Sequence, residues 1–295
     1  MKIGIFSTFI EPAALDLVNS VQGAVKSGEI PNTEISFIFS NREQGDDPAT
    51  DKILDTLNRQ DTRLMTFSAP RFKPDMRRKA RQEEKSGSTS LMQEWRNQFG
   101  EEVLKRLPRT DVDLLLGDMY IWGDNMCDER NGINLHPALP WGPKGEWYKV
   151  IWQLIQDKSQ ETGVMMHKVT PELDRGPAIA YCRFPIRDSF LTPLWNRLPR
   201  DPRKLEEVIR QGLIEKEKAN HPLFKEIRNR GFTRETPLIV QTTKAFTKES
   251  LRLEGGTPVD RNGIILREGY DLTSRIDTIV SRQLEGQNFA RKEVF

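Results

Sequence analysis

Three histidines and two cysteines are all that 295 residues hold, and each scarcity removes a class of chemistry. Cys127 and Cys182 are too few for a disulfide framework and are expected as free thiols of a reducing cytosol. No pair of Cys or His residues has metal-ligand spacing, so no metal site is expected. No apolar run approaches the ~18 residues of a membrane span, which excludes a membrane partner of that kind. Forty-five basic residues against 43 acidic ones leave a net charge of +2, with no general drive toward nucleic acid. The opening Met1-Lys-Ile-Gly-Ile-Phe-Ser turns polar and acidic at once, so it is predicted to be a first strand and not a signal peptide. A cytoplasmic globular protein is expected, with 36% hydrophobic and 30% charged residues. Internal repeats and low-complexity tracts are also missing.

What is present is alternation. Apolar runs of four to seven residues alternate with segments of helical period, which predicts βαβ units, a mostly parallel sheet and an α/β class. Strands are predicted at Lys2–Ser7, Glu34–Ser40, Leu64–Phe67, Val112–Gly117 and Gly132–Leu135. Helices are predicted at about 12–27, 48–59 and 89–106, and over Glu146–Asp157, where Trp147, Ile151, Leu154 and Ile155 share one face. Gly163–Val169 and Ala178–Ile186 read as two strands joined by a turn, an antiparallel end to the sheet. Residues 69–90 are polar, basic and long for a βα connection, so they read as a solvated insertion or as a basic lid over an anion. Beyond 190 the chain reads as an extension packed on a main domain of residues 1–190. It holds helices at Arg200–Lys218, Glu235–Lys248 and Thr273–Leu284, and a hairpin around Gly255-Gly256.

Two segments carry chemistry. Ile-Asn134-Leu-His136-Pro-Ala-Leu-Pro puts an amide and an imidazole two residues apart at a strand end, on one face. Pro137 then turns the chain into a loop. About forty residues later Leu-Asp174-Arg-Gly-Pro ends an apolar run with a turn-borne carboxylate. Acyl transfer to an amine needs a group to hold a carbonyl oxygen, one to stabilise the oxyanion and one to manage the amine's proton. His167 lies on a strand with an expected packing role. His221 opens a helix, and both packing and substrate contact remain open for it.

These two segments resemble the signature of the folate-dependent formyltransferases, most closely the branch acting on glycinamide ribonucleotide. The Ser40-Asn41-Arg42 and Leu116-Gly-Asp-Met-Tyr-Ile121 stretches are similar to that family too. The resemblance covers roughly residues 1–190 and implies a Rossmann-like formyltransferase fold. It implies a catalytic set of Asn134, His136 and Asp174, and 10-formyltetrahydrofolate as co-substrate, its pterin received at Met119 and Ile121. Purine biosynthesis and one-carbon metabolism would be the setting. The implied partners are folate and a small-molecule amine, with neither nucleic acid nor membrane, and with self-association into a homo-oligomer left open.

Three departures from the family pattern fall on the acceptor side. Ser7-Thr-Phe-Ile-Glu11-Pro-Ala-Ala14 lacks the glycine-rich turn that brings a helix N-terminus to a substrate phosphate, and Glu11 adds a negative charge there. Glu217-Lys-Ala-Asn-His221 keeps only the His of the family's ribonucleotide-contacting stretch. Gly145-Glu-Trp-Tyr-Lys149 lacks a further His. A kept donor and a changed acceptor is the implied reading. Hydrolysis of the formyl-folate, a non-catalytic folate-binding paralogue, and an assembly protein acting through residues 190–295 are the alternatives.

Overall fold

The computed structural model describes residues 1–117 and 122–292. The chain divides into two compact units, the first formed by Met1–Leu135, Lys168–Gly176 and Phe246–Ser250, the second by His136–His167, Pro177–Ala245 and Leu251–Phe295.

The first unit runs β1 (Lys2–Ser7), α1 (Pro12–Lys26), β2 (Glu34–Ser40), α2 (Pro48–Asn58), β3 (Leu64–Thr66), α3 (Pro74–Lys85), α4 (Ser90–Arg106), β4 (Val112–Leu115), α5 (Asp124–Glu129) and β5 (Gly132–His136). Proline at the first helical position pre-sets α1 and α2, and the Asp47 carboxylate caps α2 by accepting from the Ala49 and Thr50 amides at 2.9 and 3.2 Å. The strands pair in parallel in the order β5-β4-β1-β2-β3. Their near-continuous apolar runs follow, because parallel strands are covered on both faces. Successive strands leave β1 in one direction through β2 and β3, and in the other through β4 and β5. The carboxyl ends of β1 and β4 therefore flank a topological switch point, where such sheets open a crevice.

An aromatic cluster fills this unit. Trp95 stacks on Phe99 (centroids 5.3 Å apart, 10° between planes), and Phe99 stacks on Phe67. Each fully buried ring of this size contributes about 1.5–3 kcal/mol. A buried ion pair forms at β4: Arg130 Nε donates to Asp113 Oδ2 at 2.5 Å and its Nη2 to Oδ1 at 3.0 Å. Within residues 69–90, read from sequence as a solvated insertion or a basic lid, the chain forms the helix α3 over Pro74–Lys85. Its charged surface buries only Ala80, which is why its period was hidden.

The second unit contains α6 (Trp147–Gln156), β6 (Glu161–Lys168), β7 (Ala178–Pro185), α7 (Thr192–Trp195), α8 (Pro202–Glu215), α9 (Pro222–Thr247), β8 (Leu251–Glu254), β9 (Thr257–Asp260), β10 (Tyr270–Asp271) and α10 (Thr273–Lys292). β6 and β7 are antiparallel, from Glu161 opposite Pro185 to His167 opposite Ala178, and β10 joins β7 in parallel. The β8–β9 hairpin, a separate two-stranded sheet, and α10 add a C-terminal helix-and-strand extension to an otherwise mostly parallel α/β fold. A second core gathers here: Trp152 stacks on Phe224 at 5.0 Å among Ile151, Ile155, Ile209 and Leu223. Gly212 of α8 is required for this approach, since a Cβ there would come within 2.1 Å of the Trp152 ring. α9 begins thirteen residues before the predicted helix and runs through Pro237, whose missing N–H costs one hydrogen bond while Leu238, Ile239 and Val240 are buried beside it. Among the described residues no helix is long and apolar enough to cross a membrane.

Candidate active site

The carboxyl ends of the first unit's strands hold an unusual density of buried polar groups. Ser7, Thr8, Ser40 and Asn41 are all buried there. Phe9 adopts a left-handed backbone (φ 53°), and its amide donates to Ser7 Oγ at 3.2 Å. The chain then enters α1 at Glu11, an exposed residue at the N-cap whose side chain makes no capping hydrogen bond. A carboxylate in this place complements the helix dipole and opposes a second anion. β4 ends at Gly117. The predicted pterin contacts Met119 and Ile121 lie outside the described residues.

Asn134 stands opposite Leu115 on β5 and is 8% exposed. His136 closes the same strand at 2% exposure. With a two-residue spacing on one strand, both side chains leave the same face, as the sequence implied. In the second unit, His136 Nε2 lies 2.9 Å from the Pro143 carbonyl oxygen. A carbonyl only accepts, so Nε2 carries a proton, and any change of charge on the ring falls on Nδ1. Beside it the His167 ring sits edge-on, 6.3 Å away between centroids. His167 is itself buried, and its place on a strand suggested packing alone; the contact between the two imidazoles had no signal in the sequence.

Asp174 belongs to the first unit, in the turn between Thr170 and Gly176. It is 6% exposed and left-handed (φ 54°), a conformation that Asp tolerates better than most residues. The turn is tight: Thr170 Oγ1 donates to the Glu172 carbonyl at 2.8 Å, and a Cβ on Gly176 would come within 1.8 Å of the Lys168 oxygen. Glycine is thus required two residues after the carboxylate in this turn. The structure brings Asn134 and His136 onto one strand and holds Asp174 buried in its turn.

The basic residues of the 69–90 segment are mostly engaged within the protein. Arg71 is engaged by Asp46 at 2.8 Å and by the Gln44 carbonyl at 2.7 Å, Lys73 by Gln98 at 2.6 Å, and Arg78 by Asp75 at 2.7 Å. Arg77 lies 5.1 Å over the Trp95 ring. Burial, and then the neighbouring Arg81 and Arg42, push its guanidinium down to about 10. With Arg78, Arg81 and Lys85 it lines a basic cleft of about 320 Å³. His221 packs 5.8 Å from the Trp152 ring in the second core, where burial lowers its pKa. Both cysteines are buried free thiols, held up at about 12 by burial.

The architecture, a mostly parallel sheet flanked by helices and extended at its C-terminal side, is similar to that of solved formyltransferases. The chain is similar in fold to the phosphoribosylglycinamide formyltransferase of Coxiella burnetii, solved in complex with CHES (18% identity, 92% of this chain and 98% of that one, TM-score 0.58). It is also similar to glycinamide ribonucleotide transformylase 1 of Symbiobacterium toebii (15% identity, 88% of this chain and 93% of that one, TM-score 0.56). No protein-family model matches the sequence, and no curated protein matches it. At these identities the likeness is one of fold.

Proposed function

We propose that the protein transfers a formyl group from 10-formyltetrahydrofolate to the primary amine of a small acceptor. The observation that carries this reading is the Asn134–His136 pair at the end of β5, buried within a formyltransferase fold. The buried Asp174 carboxylate supports it.

In this reading the acceptor amine attacks the formyl carbon and a C–N bond forms. The Asn134 amide and a protonated His136, donating through Nδ1, stabilise the oxyanion while the Pro143 carbonyl holds the ring by Nε2. The tetrahedral intermediate then collapses, the bond from the formyl carbon to N10 breaks, and the folate nitrogen takes up a proton. A water held by Asp174 relays the proton lost by the amine. Glu11 at the start of α1 disfavours a phosphate in that place, which supports an acceptor other than glycinamide ribonucleotide.

Turnover with formyl-folate and a panel of amines tests the proposal. His136→Ala is expected to lower kcat ~10²–10³-fold with folate binding nearly unchanged. Asp174→Asn is expected to lower it similarly and to alter the pH profile. Full activity in His136→Ala, with a proven acceptor, removes the assignment. Formate release that needs no amine assigns hydrolysis in its place. A kcat/KM of ~10⁴ M⁻¹s⁻¹ or more on glycinamide ribonucleotide would show that another group replaces the missing loop.

A further inference from the structure

The second unit contains a cavity of about 620 Å³ between the end of α6, α7 and the start of α8. Its apolar wall comes from Ile155, Trp195, Leu198, Leu205 and Ile209, members or neighbours of the core around Trp152. Its rim carries three cations, Lys158, Arg187 and Arg200, against one carboxylate, Glu206. Among the described residues none of the three cationic side chains has a hydrogen-bond acceptor or an ion-pair partner.

Arg187 distinguishes this place from an ordinary basic surface. Its guanidinium lies 4.0 Å over the Trp195 ring. That ring is fixed in turn, because its indole N–H donates to the Ile186 carbonyl at 2.5 Å. The Arg187 Nε is buried and meets no acceptor. A solvated arginine would move freely and satisfy its donors with water. Here stacking holds the cation at the mouth of an apolar hole, with donors left over. The volume falls within the ~300–1,000 Å³ typical of small-molecule sites, and their usual composition is apolar walls with a few fixed polar groups.

We propose that this cavity binds an amphipathic anion: a carboxylate or phosphate carried on an alkyl or aryl body. The oxyanion pairs with Arg187, assisted by Lys158 and Arg200, and the body lies against Ile155, Leu198, Leu205 and Ile209. A guanidinium fork matches both oxyanions. A sugar phosphate leaves the apolar wall uncovered, and a cationic amphiphile meets three like charges. The site shares no residue with Asn134, His136 or Asp174, so it stands whatever reaction those residues perform.

Isothermal titration of the full chain with decanoate, phenyl phosphate, inorganic phosphate and decyltrimethylammonium tests this. Decanoate or phenyl phosphate is expected to bind, and which of the two binds tighter separates the carboxylate from the phosphate source. Inorganic phosphate is expected to bind far more weakly and the cationic amphiphile not at all. Arg187→Ala should weaken the anion by about ten- to a hundredfold, the range for a charge-assisted hydrogen bond. Leu205→Trp, which fills the cavity and leaves the cation in place, should abolish binding; melting curves of both variants check that they fold. Equal affinity in wild type and Arg187→Ala overturns the proposal. So does unweakened binding to Leu205→Trp, equal binding of the cationic amphiphile, or no binding of either organic anion up to about 1 mM.

Discussion

Arg130 and Arg187 both lie over aromatic rings, one in each unit, and they end differently. Arg130 sits 5.6 and 5.5 Å from the centroids of Phe6 and Phe37 and closes on Asp113, with Thr110 Oγ1 donating to the same carboxylate at 2.7 Å. Arg187 sits over Trp195 and closes on nothing. A guanidinium with its carboxylate inside the protein is structure, because neither charge can be released without the other. One without a carboxylate has donors for something not part of the chain. The first core therefore tolerates the Arg130 charge by pairing it, whereas at the cavity of the second unit Arg187 rests on a ring with no carboxylate among the described residues.

The largest effect expected from this contrast is on stability. Asp113→Ala leaves the Arg130 charge unpaired at 5% side-chain exposure and should cost about 3–5 kcal/mol in denaturant unfolding. Arg187→Ala removes a stacking contact and should cost no more than about 1 kcal/mol. Equal losses in the two variants would break the comparison. Next in size is Gly212→Ala, which drives a methyl into the Trp152 ring and should cost about 1–3 kcal/mol by overpacking. A neutral result there would mean that the second core yields more readily than its stacked rings imply.

The smallest effect is a pH dependence. Burial holds the His221 imidazole below its ordinary value of 6.5, so over the interval beneath that value the unfolded chain binds more protons than the folded one. The stability this histidine contributes is complete above about pH 6.5 and is lost as pH falls through the folded-state value. Denaturation midpoints at a series of pH values should show that slope in the wild type and a flatter one in His221→Leu. A steeper slope in the variant would assign the titration elsewhere.

The same contrast runs through what the sequence made legible. β1 and β2 end where their apolar runs end, and α1 and α2 start at their prolines, because buried parallel strands and proline-led helices write their limits in composition. The placement of Asn134 and His136 on one face followed from strand alternation, while the reason for the glycine two residues after Asp174, the clash a Cβ there would make with the Lys168 oxygen, is visible only in the structure. α3 was not legible, since one buried alanine gives no apolar stripe. The first half of α9 was hidden behind Pro237, and β10 is a two-residue strand whose pairing with β7 is set by partners about ninety positions away. The nearness of His167 to His136 is likewise a tertiary fact with no local pattern.

The bond from His136 to the Pro143 carbonyl also makes the candidate site observable before any substrate is known. A ring N–H held by a main-chain oxygen, on a ring only 2% exposed, exchanges slowly with solvent and resonates far downfield of the backbone amides. With the proton fixed on Nε2, nitrogen labelling distinguishes the neutral tautomer from the imidazolium directly. The charge on this one ring can therefore be followed by NMR through a pH titration in the resting protein.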